Sequence, residues 1–103
     1  MALAHSYTMI AKPGSEAALV EALEALGAAV KGIAGSQGAM VLRDRKEPAK
    51  FLFLEFWDSP ASRSAAGSQL PKDVMGRIMA ALGGPLQMGE YDRLAGWPVA
   101  KDQ

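Results

Sequence analysis

The segment Lys50–Trp57, with the sequence KFLFLEFW, constrains the fold of this chain more than any other feature. Successive side chains of a β-strand point to opposite faces of the sheet. One face of this strand would carry Phe51, Phe53 and Trp57, together with the carboxylate of Glu55. The other face would carry only large apolar side chains, which are Leu52, Leu54 and Phe56. The pattern therefore predicts a strand that is covered on both sides.

The flanking sequence predicts three further strands and three helices. Strands are expected at residues 4–11, 38–45 and 86–94. A first helix is expected after the N-cap candidate Ser15, because apolar residues recur at helical spacing as far as Ile33. Ser59-Pro60 is typical of a second helix start, and this helix should end near Ser68; a third should run from Pro71 to the stop at Gly83-Gly84-Pro85.

This order of elements predicts a ferredoxin-like α+β fold, βαββαβ, with a four-stranded antiparallel sheet. The length of 103 residues favours one domain, residues 1–103, with a core at about 5–94 and a C-terminal tail at 95–103. Helices of so short a chain cover only one face of the sheet, and large exposed apolar patches are uncommon on monomers. A second copy of the chain would cover the other face, so we expect a homodimer.

Composition excludes several classes of function. Eleven Lys and Arg residues balance eleven Asp and Glu residues, which disfavours nucleic acid and anionic membranes as partners. No apolar run reaches the roughly 20 residues of a membrane span, and the N-terminal sequence lacks the pattern of a signal peptide. The chain has no cysteine and one histidine, His5, which leaves few ligands for zinc or iron. We therefore expect a cytoplasmic protein without flavin, haem or metal.

Four side chains are candidates for catalysis. His5 is a candidate base, although an ordinary polar role in the strand is the more common case. Tyr7 and Tyr91 are each a candidate hydroxyl donor, and each is equally plausible as a half-buried residue of the sheet. Trp57, where the third strand meets a helix, is either a core residue or a pocket wall that stacks on an aromatic ring.

Three further residues are candidates for substrate binding. Glu55 lies in an otherwise apolar strand, so it needs a partner such as Arg43 or Arg93 across the sheet, or desolvation will raise its pKa. Met75 and Met79 either fill the core or line a pocket for a flat apolar ligand. The small side chains of ASRSAAGSQ, which follow Trp57, would leave space for such a pocket between the sheet and the last two helices.

Three stretches of the sequence resemble the antibiotic biosynthesis monooxygenase family, a branch of the dimeric α/β-barrel superfamily. They are KPGSEAALVEAL, GAMVLRD and FLFLEFWDSPAS, and the last contains an aromatic residue followed by Glu55, Trp57 and Ser59 at the family's spacing. The resemblance covers about residues 5–94. Many members carry a histidine on the second helix, through which a haem-degrading branch binds iron. This sequence has SRSAAGSQLPKDV there, so the resemblance argues against haem degradation.

The resemblance implies a fold that dimerises into a barrel and a cofactor-independent monooxygenase that oxidises a small aromatic substrate with molecular oxygen. Known members act on phenolic or quinol compounds such as polyketide anthrones. On this hypothesis Trp57 stacks on the substrate, Tyr7 or Tyr91 binds its oxygen, and His5 is a further candidate for the base. The alternative is a non-catalytic module on the same dimeric scaffold that binds a small ligand or a partner, since a fold does not fix a function.

Overall fold

The computed structural model describes residues 2–96 and contains the seven elements that the sequence predicts. In chain order these are β1 (Leu3–Ile10), α1 (Glu16–Lys31), β2 (Ser36–Arg43), β3 (Lys50–Trp57), α2 (Pro60–Ala66), α3 (Lys72–Ala81) and β4 (Gln87–Asp92). A single 3₁₀ turn, Gly67–Gln69, follows α2. The predicted ferredoxin-like α+β fold is confirmed. The part of the expected tail beyond residue 96 lies outside the described residues.

The four strands form one antiparallel sheet in the order β2-β3-β1-β4. The two central strands pair along their full length, from Leu3 opposite Trp57 to Ile10 opposite Lys50. Directly opposite residues of an antiparallel pair share a face of the sheet. The register therefore places the side chains of Leu3, His5, Tyr7 and Met9 on the same face as those of the odd-numbered residues of β3, from Phe51 to Trp57.

The helices cover this face, which holds the core. The apolar stripe of α1 is buried at Leu19, Ala22, Leu23, Leu26 and Val30, as the helical spacing predicts. The helix ends at Lys31, so Ile33 lies beyond it. Its N-cap, Ser15, makes no side-chain capping hydrogen bond.

The second helix begins as its sequence indicates. The Oγ atom of Ser59 accepts a hydrogen bond from the backbone N–H of Ser62, and Pro60 occupies the first turn. Within residues 2–96, no helix combines the length and the apolar character that a membrane crossing requires.

The opposite face of the sheet, here called the open face, has none of the helices of residues 2–96 over it. Leu52, Leu54 and Phe56 lie there half-buried. Around them stand more exposed apolar side chains, which include Ile10 and Leu42 at 43% and 44% exposure. The apolar character of both faces of β3, read from the sequence, is therefore present in the fold, and the described residues leave one of the two faces uncovered.

Candidate functional site

The structure brings four of the predicted site residues together on the helix-covered face. His5 and Tyr7 are two apart on β1, and Glu55 and Trp57 are two apart on β3, so the alternation of each strand turns both side chains toward the helices. The register sets His5 directly opposite Glu55. A fifth side chain, Arg63, reaches this cluster from α2.

The carboxylate of Glu55 is the centre of the cluster. It is 1% exposed, and its Oε1 atom accepts a hydrogen bond of 3.1 Å from Nε1 of Trp57. The Nε atom of Arg63 lies 3.2 Å from the same oxygen. Burial raises the pKa of Glu55, while the indole hydrogen bond and the Arg63 charge act in the opposite direction.

The partner of Glu55 is thus not the one that the sequence suggested. We expected Arg43 or Arg93 from across the sheet. Arg93 instead lies over the ring of Phe56, 5.4 Å from its centroid, and donates to Gln37. Because Phe56 belongs to the open face, Arg93 cannot reach a carboxylate on the other face. Arg43 is exposed at the end of β2.

The hydroxyl group of Tyr7 is held by Arg63. One guanidinium nitrogen, Nη2, donates to the Tyr7 oxygen at 2.6 Å. The hydroxyl oxygen is therefore an acceptor in this contact, and its own proton is available for another acceptor. Burial raises the pKa of Tyr7, and the nearby carboxylate of Glu55 acts in the same direction. Tyr7 is therefore a neutral hydroxyl donor near pH 7.

The imidazole of His5 is buried between two carboxylates without bonding closely to either. Its Nδ1 atom lies 3.9 Å from Oε1 of Glu55, and its Nε2 atom lies 3.8 Å from Oε2 of Glu90. Among the described residues, Nδ1 has no hydrogen-bond partner. Burial lowers the pKa of His5, the charge of Arg63 lowers it further, and Glu90 opposes both. His5 is thus a neutral imidazole able to accept a proton.

Trp57 is a core residue in this structure. Its side chain is fully buried, and its one polar atom donates to Glu55. Of the two roles that the sequence left open, packing within the core accounts for every contact that the structure gives it. A stacking surface for a substrate would require neighbouring side chains to move.

The remaining candidates lie elsewhere. Tyr91 pairs with Ala4, which places its ring on the open face, where it is 60% exposed. Met75 is half-buried against the core, whereas Met79 is 59% exposed. The end of α3 adjoins Ala11 and Lys12, at the opposite end of β1 from Leu3, the partner of Trp57. The structure therefore does not bring Met79 to Trp57.

Arg63 is the site residue that sequence reasoning missed. It is the only charged residue of α2, whose other residues are Pro, Ala and Ser. A lone cation in a segment of small side chains, soon after a strand that buries a carboxylate, was the available signal. Which cation reaches Glu55 depends on the packing of α2 on the sheet, and the strand pattern carries no information about that packing.

The cluster combines a carboxylate, a neutral imidazole, a phenolic hydroxyl and a fixed positive charge. Such a set can remove a proton from a bound hydroxyl group and stabilise the resulting anion. Over the described part of the chain, no group of three or more His, Asp or Glu side chains is placed to hold a metal ion.

Sequence comparison then identifies the family. The family model named "Antibiotic biosynthesis monooxygenase" matches residues 3–67, from the start of β1 to the end of α2, and so includes all five residues of the cluster. The chain belongs to the antibiotic biosynthesis monooxygenase family. No curated protein matches its sequence significantly.

Solved structures agree with this membership. A protein from Chloroflexus aurantiacus J-10-fl, assigned to the antibiotic biosynthesis monooxygenases, is 26% identical, with 97% of this chain and all of that one covered and a TM-score of 0.79. PA3566 from Pseudomonas aeruginosa is also 26% identical, with 91% and 95% covered and a TM-score of 0.77. SnoaB from Streptomyces nogalater, described as a cofactor-independent oxygenase and solved as a point mutant, is 13% identical, with 94% and 97% covered and a TM-score of 0.81. The likeness to SnoaB concerns the fold alone.

Proposed function

We propose that this chain is a cofactor-independent monooxygenase that oxidises a small phenolic or quinol substrate with molecular oxygen. The observation that carries the proposal is the buried cluster of Glu55, Tyr7, His5 and Arg63. Family membership supports the reaction class. The description of SnoaB as cofactor-independent supports a reaction without a bound cofactor.

The reaction needs little from the protein. Oxidation of an anthrone consumes one molecule of oxygen, converts a ring CH₂ to a carbonyl and releases one water. Removal of a proton makes the substrate an electron-rich anion, and this anion reduces oxygen. A carboxylate whose pKa is raised by burial is a stronger base than an exposed one, so Glu55 is our first choice for the base and His5 the second.

Tyr7 and Arg63 would stabilise the substrate anion. The O–H group of Tyr7 is not the donor in its contact with Arg63, so it can donate a hydrogen bond to the substrate oxygen. The guanidinium of Arg63 stabilises negative charge on that oxygen in surroundings with little water. Trp57 supports the geometry by fixing Glu55. Tyr91, Met75 and Met79, which the sequence also put forward, have no part in this proposal.

We also propose that the functional unit is a homodimer. The open face exposes Ile10, Leu42 and Tyr91 around the half-buried row of Leu52, Leu54 and Phe56. A contiguous apolar face of this kind is unusual on a monomer, and a second copy presents an apolar surface of the same type.

A second function is favoured by one observation. The Oε1 atom of Glu55 and the hydroxyl oxygen of Tyr7 already accept hydrogen bonds from within the cluster, and Trp57 is completely covered. A protein with this arrangement could bind a small ligand or a partner on the same scaffold without oxidising anything.

Oxygen consumption with a panel of hydroquinones and anthrones tests the proposal. We expect uptake with at least one compound, and a loss of about a hundredfold or more with Glu55→Gln or Tyr7→Phe, the lower end of what a positioned acid or base contributes. Tyr91→Phe is a matched control, because it removes the same atom on the other face and should leave the rate unchanged. Folded wild-type protein that consumes no oxygen with any compound would refute the proposal in favour of the non-catalytic alternative.

A further inference from the structure

The helices of residues 2–96 cover β1 but leave the same face of β4 exposed. The register places Met88 opposite Tyr7 and Glu90 opposite His5, so these four side chains share one face of the sheet. On β1, His5 and Tyr7 are buried. On β4, Met88 is 66% exposed and the side chain of Glu90 is 65% exposed. The buried cluster therefore borders solvent along β4, where Glu90 stands beside His5.

His5 lies between Glu90 and the buried carboxylate of Glu55. Its Nε2 atom is 3.8 Å from Oε2 of Glu90, and its Nδ1 atom, which has no hydrogen-bond partner among the described residues, is 3.9 Å from Oε1 of Glu55. The ring of Tyr7 packs against the imidazole with centroids 4.7 Å apart. Both N–O separations are longer than a hydrogen bond, but such contacts are often long in structures without substrate. The exposed side chain of Glu90 can also rotate toward the imidazole.

Glu55 needs a route for its proton. Because it is 1% exposed and burial raises its pKa, it holds a proton that it must release to water before it can act as a base. Arg63 also reaches the cluster from a partly exposed position, but a guanidinium does not lose a proton in proteins. An imidazole can take up a proton at one nitrogen and release one from the other. The placement of His5 suits it to carry the proton outward.

We propose that Glu55, His5 and Glu90 form a proton path from the buried cluster to solvent, with Glu90 as its outer end. The carboxylate of Glu90 favours the imidazole with its hydrogen on Nε2, which leaves a lone pair on Nδ1. The O–H bond of protonated Glu55 breaks as Nδ1 takes its proton. The Nε2–H bond then breaks as Glu90 takes that proton and passes it to water.

The transfer balances. One proton leaves Glu55 and one reaches water, while the imidazole stays neutral with its hydrogen moved from Nε2 to Nδ1. The reverse sequence returns a proton to Glu55. The purpose of the path rests on the proposed function, since it prepares Glu55 as the base. The existence of the path does not, because protons pass along it whether or not a substrate is bound.

NMR of the Trp57 indole tests the path without substrate. The indole N–H donates to Oε1 of Glu55, so its resonance should differ between the protonated and the ionised carboxyl group. We expect this resonance, identified by its loss in Trp57→Phe, to move between pH 4 and pH 8. Relaxation dispersion at the midpoint measures how fast the two states interchange. Glu90→Gln should slow this exchange about tenfold, since an acidic group at the surface concentrates protons.

Asp92→Asn is the matched control. Asp92 lies two residues from Glu90 on the same face of β4 and is exposed, but it pairs with Leu3 rather than with His5. The variant removes the same charge from the same surface and should leave the exchange rate unchanged. Glu90→Ala adds a rescue experiment, in which free acetate should restore the exchange that the missing carboxylate supported.

Three results would overturn the path. They are an exchange rate that Glu90→Gln leaves unchanged, an equal slowing in Asp92→Asn, and an indole resonance that does not move with pH, since Glu55 would then have no proton to release. Slowing in Tyr7→Phe with normal exchange in Glu90→Gln would assign the transfer to Tyr7 instead. A protein that consumes no oxygen but shows slowed exchange in Glu90→Gln alone would refute the oxygenase and still support the path.

Discussion

Glu55 decides how the cluster responds to pH. Its pKa is raised above the ordinary value of 4.5, mainly because burial disfavours the charged form. The folded protein therefore holds this proton more tightly than the unfolded chain does. The stability that follows is fully present below the unfolded pKa and is lost as pH rises through the folded one.

Unfolding by urea between pH 4 and pH 8 checks this sign, with Glu55→Gln as the reference that cannot titrate. The free energy of unfolding of the wild type, taken relative to the variant, should fall as pH rises above about 4.5. A wild type that gains stability over the variant across this range would mean that Arg63 and Trp57 outweigh burial.

Trp57 gives a second prediction at this scale. Trp57→Ala removes a fully buried indole and should lower the free energy of unfolding by about 3–5 kcal/mol. Trp57→Phe keeps most of the ring but leaves Glu55 without its donor, so we expect a loss of about 1–3 kcal/mol. Chemical denaturation measures both. Losses below about 0.5 kcal/mol would place the indole outside the core.

Among the elements, α2 is tied to the sheet by very few side chains. It has seven residues, of which Ala66 alone is buried, and its long polar side chain, Arg63, joins Tyr7 and Glu55. An isolated helix of this length is not stable in water, so its tertiary contacts hold it. The same arginine therefore fixes the helix and completes the polar cluster.

Arg63→Met tests this dual role. It keeps an apolar stem but removes the donor to Tyr7 and the charge beside Glu55, so we expect a loss of roughly 2–4 kcal/mol in the free energy of unfolding. Arg77→Met, on the exposed surface of α3, is the matched control and should change stability by less than about 0.5 kcal/mol. Equal stabilities for the two variants would show that α2 is held by other contacts.

At the scale of the whole molecule, the open face is an apolar surface that residues 2–96 leave uncovered. We expect light scattering to show a dimer, and Leu42→Glu to shift it toward monomer, because Leu42 stands partly exposed on this face. Met79→Glu introduces the same charge at an exposed methionine of α3, away from the sheet, and should leave the dimer intact. A wild type that stays monomeric at micromolar concentration would contradict the expectation.

Sequence pattern by itself determined the elements and the two faces of β3, because period 2 in a strand and period 3.6 in a helix are local properties of the chain. It also marked Glu55 as a buried carboxylate in need of a partner, since its neighbours in the strand are all apolar. The tertiary structure alone decided which cation pairs with it, where Trp57 lies and which candidates meet. Arg63 reaches Glu55, and Tyr91 is carried to the opposite face, because strand register and helix docking join residues far apart in the sequence.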